Sequence, residues 1–203
     1  MPVRLARERP PAMTVSTALD PRIVDFHDEA LSLLANDSPA NRERIAHLIR
    51  ELALQPDILP SVDLERLHDT GSSATILAQG PEGKGALMLL HLPAEAPTPI
   101  HNHNTWGVAV VITGTNHYWR WERRDDLSDP HHADLFLADE FEHGPGEYVL
   151  WGDPPHDLHA QQGVGNAALE FVFFGRNPNL QPRAYFDADS GTITYAAATD
   201  QMR

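Results

Sequence analysis

The 203-residue chain contains no cysteine. Disulfide scaffolds, thiolate zinc sites, iron–sulfur clusters and a cysteine nucleophile are therefore excluded, and any metal chemistry must run on histidine and carboxylates. Lysine is nearly absent too, Lys84 being the only one, and Lys+Arg 15 against Asp+Glu 29 leaves a formal net charge of -14. Between Asp125 and Gly175 there is no Lys or Arg but there are eleven acids, a stretch that would repel a phosphate backbone. Nucleic-acid binding is disfavoured. The longest apolar runs, Gly85 to Leu92 and Gly107 to Thr113, fall far short of a membrane helix. Arg4, Arg7 and Arg9 precede Pro10 and Pro11 without an apolar stretch, so residues 1–15 read as a disordered lead, with Met13 an alternative start, and the expected location is cytoplasmic.

What is present is histidine, twelve in all, within an ordinary globular composition of 41% hydrophobic residues and mean hydropathy -0.37. Residues 16–203 read as one domain, helical over about 20–68 and barrel-like over about 73–196. Asp20-Pro21 and Ser38-Pro39 are N-cap and first-turn signals. Ile23, Val24, Phe26, Ala30, Leu31, Leu33 and Leu34, then Ile45, Leu48, Ile49, Leu52 and Leu54, recur at helical spacing behind them. Val62 to Leu67 suggests one more turn.

After Thr70-Gly71 short β-rich segments follow at intervals of roughly 8–14 residues, the pattern of an all-β sandwich or barrel. They are Ser73–Gln79, Ala86–Leu92, Gly107–Thr113, Asn116–Glu122, Asp134–Ala138, Glu147–Trp151, Leu158–Gln162, Leu169–Phe174, Ala184–Asp187 and Thr192–Tyr195.

Within this region His101-Asn102-His103 places two imidazoles on one face of an extended chain. Spacing alone decides nothing, because about 0.7 such pairs are expected by chance in a chain this rich in histidine. The surroundings are more informative. Gly114 follows Gly107 by seven residues, and Pro154 precedes Asp157-Leu158-His159. These residues resemble the two motifs of the cupin superfamily, but Gly107 stands where the first motif has its glutamate. In the second motif His156 and Gly163 replace the glycine and the asparagine. The resemblance implies a mainly β, double-stranded β-helix barrel behind an N-terminal helical layer. It nominates His159, rather than His156, as the partner of His101 and His103.

Three histidines without the glutamate are similar to the cysteine dioxygenase family of thiol dioxygenases, closest in wording to its bacterial 3-mercaptopropionate-type branch. There a His-x-His is followed by Trp-Gly, as here in Thr98-Pro99-Ile100-His101-Asn102-His103-Asn104-Thr105-Trp106-Gly107, with Asn102 in place of the usual Asp. Asp157-Leu158-His159, Leu169–Gly175 and Arg183-Ala184-Tyr185-Phe186-Asp187 before Ser190-Gly191 look like the closing segments. The likeness runs from about Ser73 to Tyr195. It implies Fe(II) held by three neutral imidazoles, a small-molecule substrate and dioxygen as partners, and a sulfinate product.

Departures accompany the likeness. The family's Ser-x-His-x-Tyr triplet falls on Glu170, Val172 and Phe174, and its carboxylate-binding Arg or Gln falls, counting back from His101, on Thr75. Trp106, Tyr118, Arg120 and Glu170 are the candidates to replace those roles. Tyr118 and Arg120 share one strand face, and His117, Trp119 and Trp121 the other. Thr75, Trp106, Glu170, Val172 and Phe174 thus form the expected pocket. The competing readings are a metal-binding cupin that senses or binds a small molecule, and a three-histidine dioxygenase acting on a carbon substrate. Zn(II), Ni(II) and Mn(II) suit the same ligands. His27 and His47 fall on helices, His131-His132 in a loop, and the oligomeric state is not legible.

Overall fold

The computed structural model describes residues 19–59 and 74–197. They form two helices, α1 (Pro21–Leu34) and α2 (Pro39–Ala53), and eleven strands. The strands are β1 (Ala74–Gln79), β2 (Lys84–Leu92), β3 (Ile100–His101), β4 (Gly107–Thr113), β5 (Asn116–Arg123), β6 (Leu135–His143), β7 (Tyr148–Trp151), β8 (His159–Gly163), β9 (Ala168–Arg176), β10 (Arg183–Phe186) and β11 (Ile193–Ala196). All ten expected strands are present. The differences are the two-residue β3 and the extension of β6 through His143, which brings a further interior histidine into the barrel. The lead, Val62–Leu67 and Ser73 lie outside the described residues.

Both helices begin where the capping signals put them. The Asp20 carboxylate accepts from the Arg22 N–H at 2.8 Å and the Ser38 hydroxyl accepts from the Asn41 N–H at 3.3 Å, each satisfying a donor that the first turn leaves without a partner. Ile23, Phe26, Ala30 and Leu34 of α1 and Ile45, Ile49 and Leu52 of α2 are buried on the barrel side. Val24 and Leu54, apolar by pattern, remain exposed.

The strands pair as two antiparallel sheets in the orders β1-β2-β9-β4-β7 and β11-β10-β3-β8-β5-β6. The run β2-β9-β4-β7 in one sheet faces β3-β8-β5-β6 in the other, so the chain winds between them as the double-stranded β-helix of a cupin barrel. Strands β1, β10 and β11 extend the edges.

The first sheet is buried on both faces, and the strand period of two assigns its residues. Leu87, Leu89, Val108, Val110, Phe171 and Phe173 meet the helices, whereas Met88, Ala109, Val172 and Phe174 fill the barrel beside Tyr118 and Trp151. Buried His27 bonds through Nε2 to the Gly85 carbonyl at 2.7 Å, tying α1 to the start of β2. Phe173 is fully buried, edge-on to Phe26 with ring centroids 5.8 Å apart. Phe173→Ala should lower the unfolding free energy by about 3–5 kcal/mol in a denaturant titration, since the cavity would open in the seam joining helices to barrel.

Candidate metal centre

The chain leaves the ladder straight after His101. Residue 101 is the last of β3, paired to His159 of β8, and the following turn swings His103 round to the same interior point. One potential ligand atom from each of His101, His103 and His159 lies within 4.8 Å of the others, and all three residues are buried. The Nε2 atoms of His103 and His159 are 3.0 Å apart.

Each ring is held by a separate device. His101 Nδ1 is 2.9 Å from the Pro99 carbonyl, to which it donates, so Nε2 keeps its lone pair. His159 Nδ1 is 2.7 Å from the Tyr118 hydroxyl, and with the proton on Nδ1 its Nε2 is likewise a free donor to a cation. His103 is fixed through its backbone. The buried Asp157 carboxylate accepts from the N–H groups of His103 at 3.0 Å and Asn104 at 2.7 Å, while the ring lies between Phe174 and Trp151, with centroids 4.8 and 5.5 Å away.

Electrostatics keep the rings neutral. Burial, then the charge of Arg183, pull His101 down to about 4, against the opposing bond to Pro99. Burial, joined by the neighbouring histidines and Arg183, holds His103 well below the ordinary value, and burial with His101 and Arg183 does the same for His159. Two neutral rings whose lone pairs face each other at 3.0 Å repel unless a proton or a cation lies between them. Three neutral, converging imidazoles therefore fit a divalent metal ion such as Fe(II), Zn(II), Ni(II) or Mn(II). The site offers no carboxylate in the glutamate position. A Cβ on Gly107 would stand 2.3 Å from the Trp151 ring, so the indole occupies the space that a side chain there would need.

The histidines border a cavity of about 530 Å³. Its wall is largely apolar, with Met88, Leu90 and Phe174 from the first sheet, and Arg183, Tyr185 and Gln161 contribute polar groups. Of the expected pocket residues only Phe174 lines it. Thr75 is paired with Leu89, whose side chain meets the helices, so Thr75 shares that outer face and its neighbour Ala74 takes the cavity position. Trp106 also turns outward, packing on Phe173 beneath the Arg42 guanidinium. Val172 is barrel filling, and Glu170, fully buried, accepts from Asn116 Nδ2 at 2.7 Å away from the cavity wall. Arg120 is exposed beside Asp139 at 3.5 Å, where the β5–β6 register shifts, and borders a separate cavity of about 370 Å³. His156 sits in the turn before β8 and borders the same second cavity.

Arg183 and Tyr185 had no assigned role in the sequence. Their i, i+2 spacing puts them on one face of β10, opposite the buried Ala184 and Phe186, but spacing does not say which face meets the cavity. Asp157 was read only as part of a motif, and its work as a double acceptor appears only in three dimensions.

No protein-family model matches the chain, and no curated protein matches it in sequence. Among solved structures, an RmlC-like cupin protein from Ralstonia eutropha JMP134 is similar over 64% of this chain and 68% of its own, at 17% identity and TM-score 0.41. DMSP lyase DddQ from Ruegeria pomeroyi DSS-3 is similar over 77% and 92%, at 15% identity and TM-score 0.43. A cupin superfamily protein from Desulfitobacterium hafniense DCB-2 is similar over 51% and 76%, at 12% identity and TM-score 0.37. Scores this low leave the fold assignment to the strand order and the chemistry to the residues. Together these define a cupin barrel with a three-histidine group able to hold a metal ion. No helix among the described residues is long and apolar enough to cross a membrane.

In the metal-free protein the unfolded chain takes up protons on these histidines near 6.5, whereas the folded state resists doing so, down to about 4 at His101. The unfolded state binds more protons in that window, so stability is complete above it and is lost as pH falls through it. Denaturant midpoints measured from pH 7 to 4 should decline, and the decline should be shallower in His101→Gln.

Proposed function

We propose that the chain is a mononuclear non-haem iron dioxygenase of the thiol dioxygenase type, oxidising a small thiol that carries an anionic group. The observation that carries this reading is Arg183. Half-buried, it lines the cavity of the three histidines, and its guanidinium makes no ion pair or hydrogen bond among the described residues. A cation so disposed is a ready partner for a carboxylate, a role whose family position falls on Thr75, which carries no charge and faces the helices.

His101, His103 and His159 would hold Fe(II). Three neutral ligands leave the ion its full charge, and when bound it supplies coordination for a thiolate and dioxygen together. The overall change is R–SH + O₂ → R–SO₂H: both oxygen atoms go to sulfur, which is oxidised as dioxygen is reduced, and no further reductant is required. The chain's own contributions are binding and exclusion. Arg183 orients the anionic end, the Tyr185 hydroxyl has no partner among the described residues and is available as a donor, and Phe174, Met88 and Leu90 keep water from the reacting sulfur. The imidazoles stay neutral at working pH and take no proton from the thiol. On this reading the partners are a small molecule and dioxygen, in the cytoplasm, with neither nucleic acid nor membrane involved.

One observation favours a second reading, a metal-binding cupin that binds or senses a small molecule without oxidising a thiol. The interior face of β9 presents Glu170, Val172 and Phe174 and so offers the cavity no hydroxyl or imidazole. The same observation admits a three-histidine dioxygenase acting on a carbon substrate.

Anaerobic loading with Fe(II), followed by oxygen-electrode assays on a panel of thiols, separates these readings. Uptake matched by sulfinate formation is expected, absent in His159→Ala. Arg183→Ala should raise KM for mercaptocarboxylates by about 10- to 100-fold while leaving 2-mercaptoethanol unaffected, the range set by losing a hydrogen bond between charged groups. Thiol-dependent uptake no greater than that of His159→Ala would defeat the dioxygenase reading.

A further inference from the structure

Arg183 stands at the start of β10, paired on one side with Ala196 of β11, while on the other the sheet runs out of strand to hold it. β10 meets β3 at only two pairs, Tyr185 with His101 and Phe186 with Ile100, and β3 ends at His101. On that side the backbone around Arg183 would have no ladder. Two asparagine side chains from the histidine turn fill the gap. Asn102 donates its N–H to the Ala184 carbonyl at 3.2 Å, and its side-chain Oδ1 accepts from the Ala184 N–H at 2.9 Å, an amide standing in for a strand. Asn104 Nδ2 donates to the Pro182 carbonyl at 2.9 Å. The two amides are locked to each other, Asn102 Nδ2 donating to Asn104 Oδ1 at 2.9 Å, so the orientation of both is determined by the network. The residues on either side of Arg183 are thus bonded to the residues on either side of His103. Asn104 is anchored in turn, its N–H sharing Asp157 Oδ2 with that of His103.

We infer that Asn102 and Asn104 are positioning residues that fix Arg183 relative to the three-histidine group, and so set the spacing between sulfur and anionic group that a substrate must match. This rests on the thiol dioxygenase reading above. A guanidinium on a strand end held from β11 alone would be free to shift relative to the histidines and accept acids of several lengths. Bonded to the same turn that carries His101 and His103, it measures one.

Asn104→Gly suits the test because Asn104 has φ 60, a conformation glycine adopts freely, so the side chain is removed without straining the turn. Asn102→Ala removes the other amide, and Asn102→Asp keeps the acceptor for Ala184. Cobalt(II)-loaded protein would be titrated anaerobically with ω-mercaptocarboxylates of increasing chain length and with 2-mercaptoethanol, reading the thiolate-to-cobalt charge-transfer band. Wild type should bind one chain length best. Asn104→Gly and Asn102→Ala should weaken that acid about tenfold and flatten the length profile, with cobalt content and the Kd for 2-mercaptoethanol unchanged, and Asn102→Asp should recover part of the loss. An unaltered length profile, or equal weakening of acid and neutral thiol with loss of cobalt, would overturn the inference. Wild type that shows no band with any thiol, or whose preference for acids survives Arg183→Ala, would instead overturn the functional reading and take the inference with it.

Discussion

Three imidazoles buried at one point cannot all be charged, and most of the local architecture follows from keeping them neutral and convergent. Each must be held without gaining a proton, so each is tied by a group that does not compete for the lone pair facing its neighbours. The Pro99 carbonyl and the Tyr118 hydroxyl occupy one nitrogen each of His101 and His159, and Asp157 grips His103 by the backbone. The buried Asp157 carboxyl is itself pushed up by desolvation, against the pull of the two N–H groups it accepts. That carboxylate must lie beside the histidine turn, which explains why β3 stops after two residues: the chain has to leave the ladder for His103 to come round and for the two N–H groups to find Asp157.

The same barrel wall serves two masters. β9 gives Phe171 and Phe173 to the helices and Glu170, Val172 and Phe174 to the interior, so the helical layer and the site share one strand and are stabilised by the same burial. Where the cupin pattern has a glutamate, Gly107 yields its place to the Trp151 ring. The result is a metal centre bounded by aromatic carbon, with Arg183 as the charged group of its cavity. A neutral ligand set and a nearby cation both favour anionic partners, and these two features give the thiol dioxygenase reading its physical sense.

Much of this was legible in the chain itself, and the failures were of one kind. The caps at Asp20 and Ser38 and the alternation in β2, β4 and β9 are local signals, enforced by backbone donors and by the period of a strand. Thr75 was assigned to the pocket by counting back from His101, but one residue of slip moves a side chain to the other face, and the cavity position belongs to Ala74. A register shift between Ile76 and Ala78 lies on that strand, and such offsets carry no local signature. Trp106 fails for a related reason, since the bend at Asn104 and Thr105 separates it from His103 and alternation does not survive a turn. Glu170, which pattern alone would leave to either face, is interior because its strand is covered on both sides.

Sequence by itself determined the candidate ligand chemistry, histidine in the absence of cysteine, together with the two motifs, the helical layer and the succession of ten strands along the chain, because all of these are written in residue type and short spacing. Tertiary structure alone decided that β10 lies beside β3. That contact joins residues some eighty positions apart, and it brings Arg183 into the cavity and bonds its flanks to Asn102 and Asn104. No period or motif encodes such a pairing; it exists only once the two sheets have closed, and the charge that most narrows the substrate arrives with it.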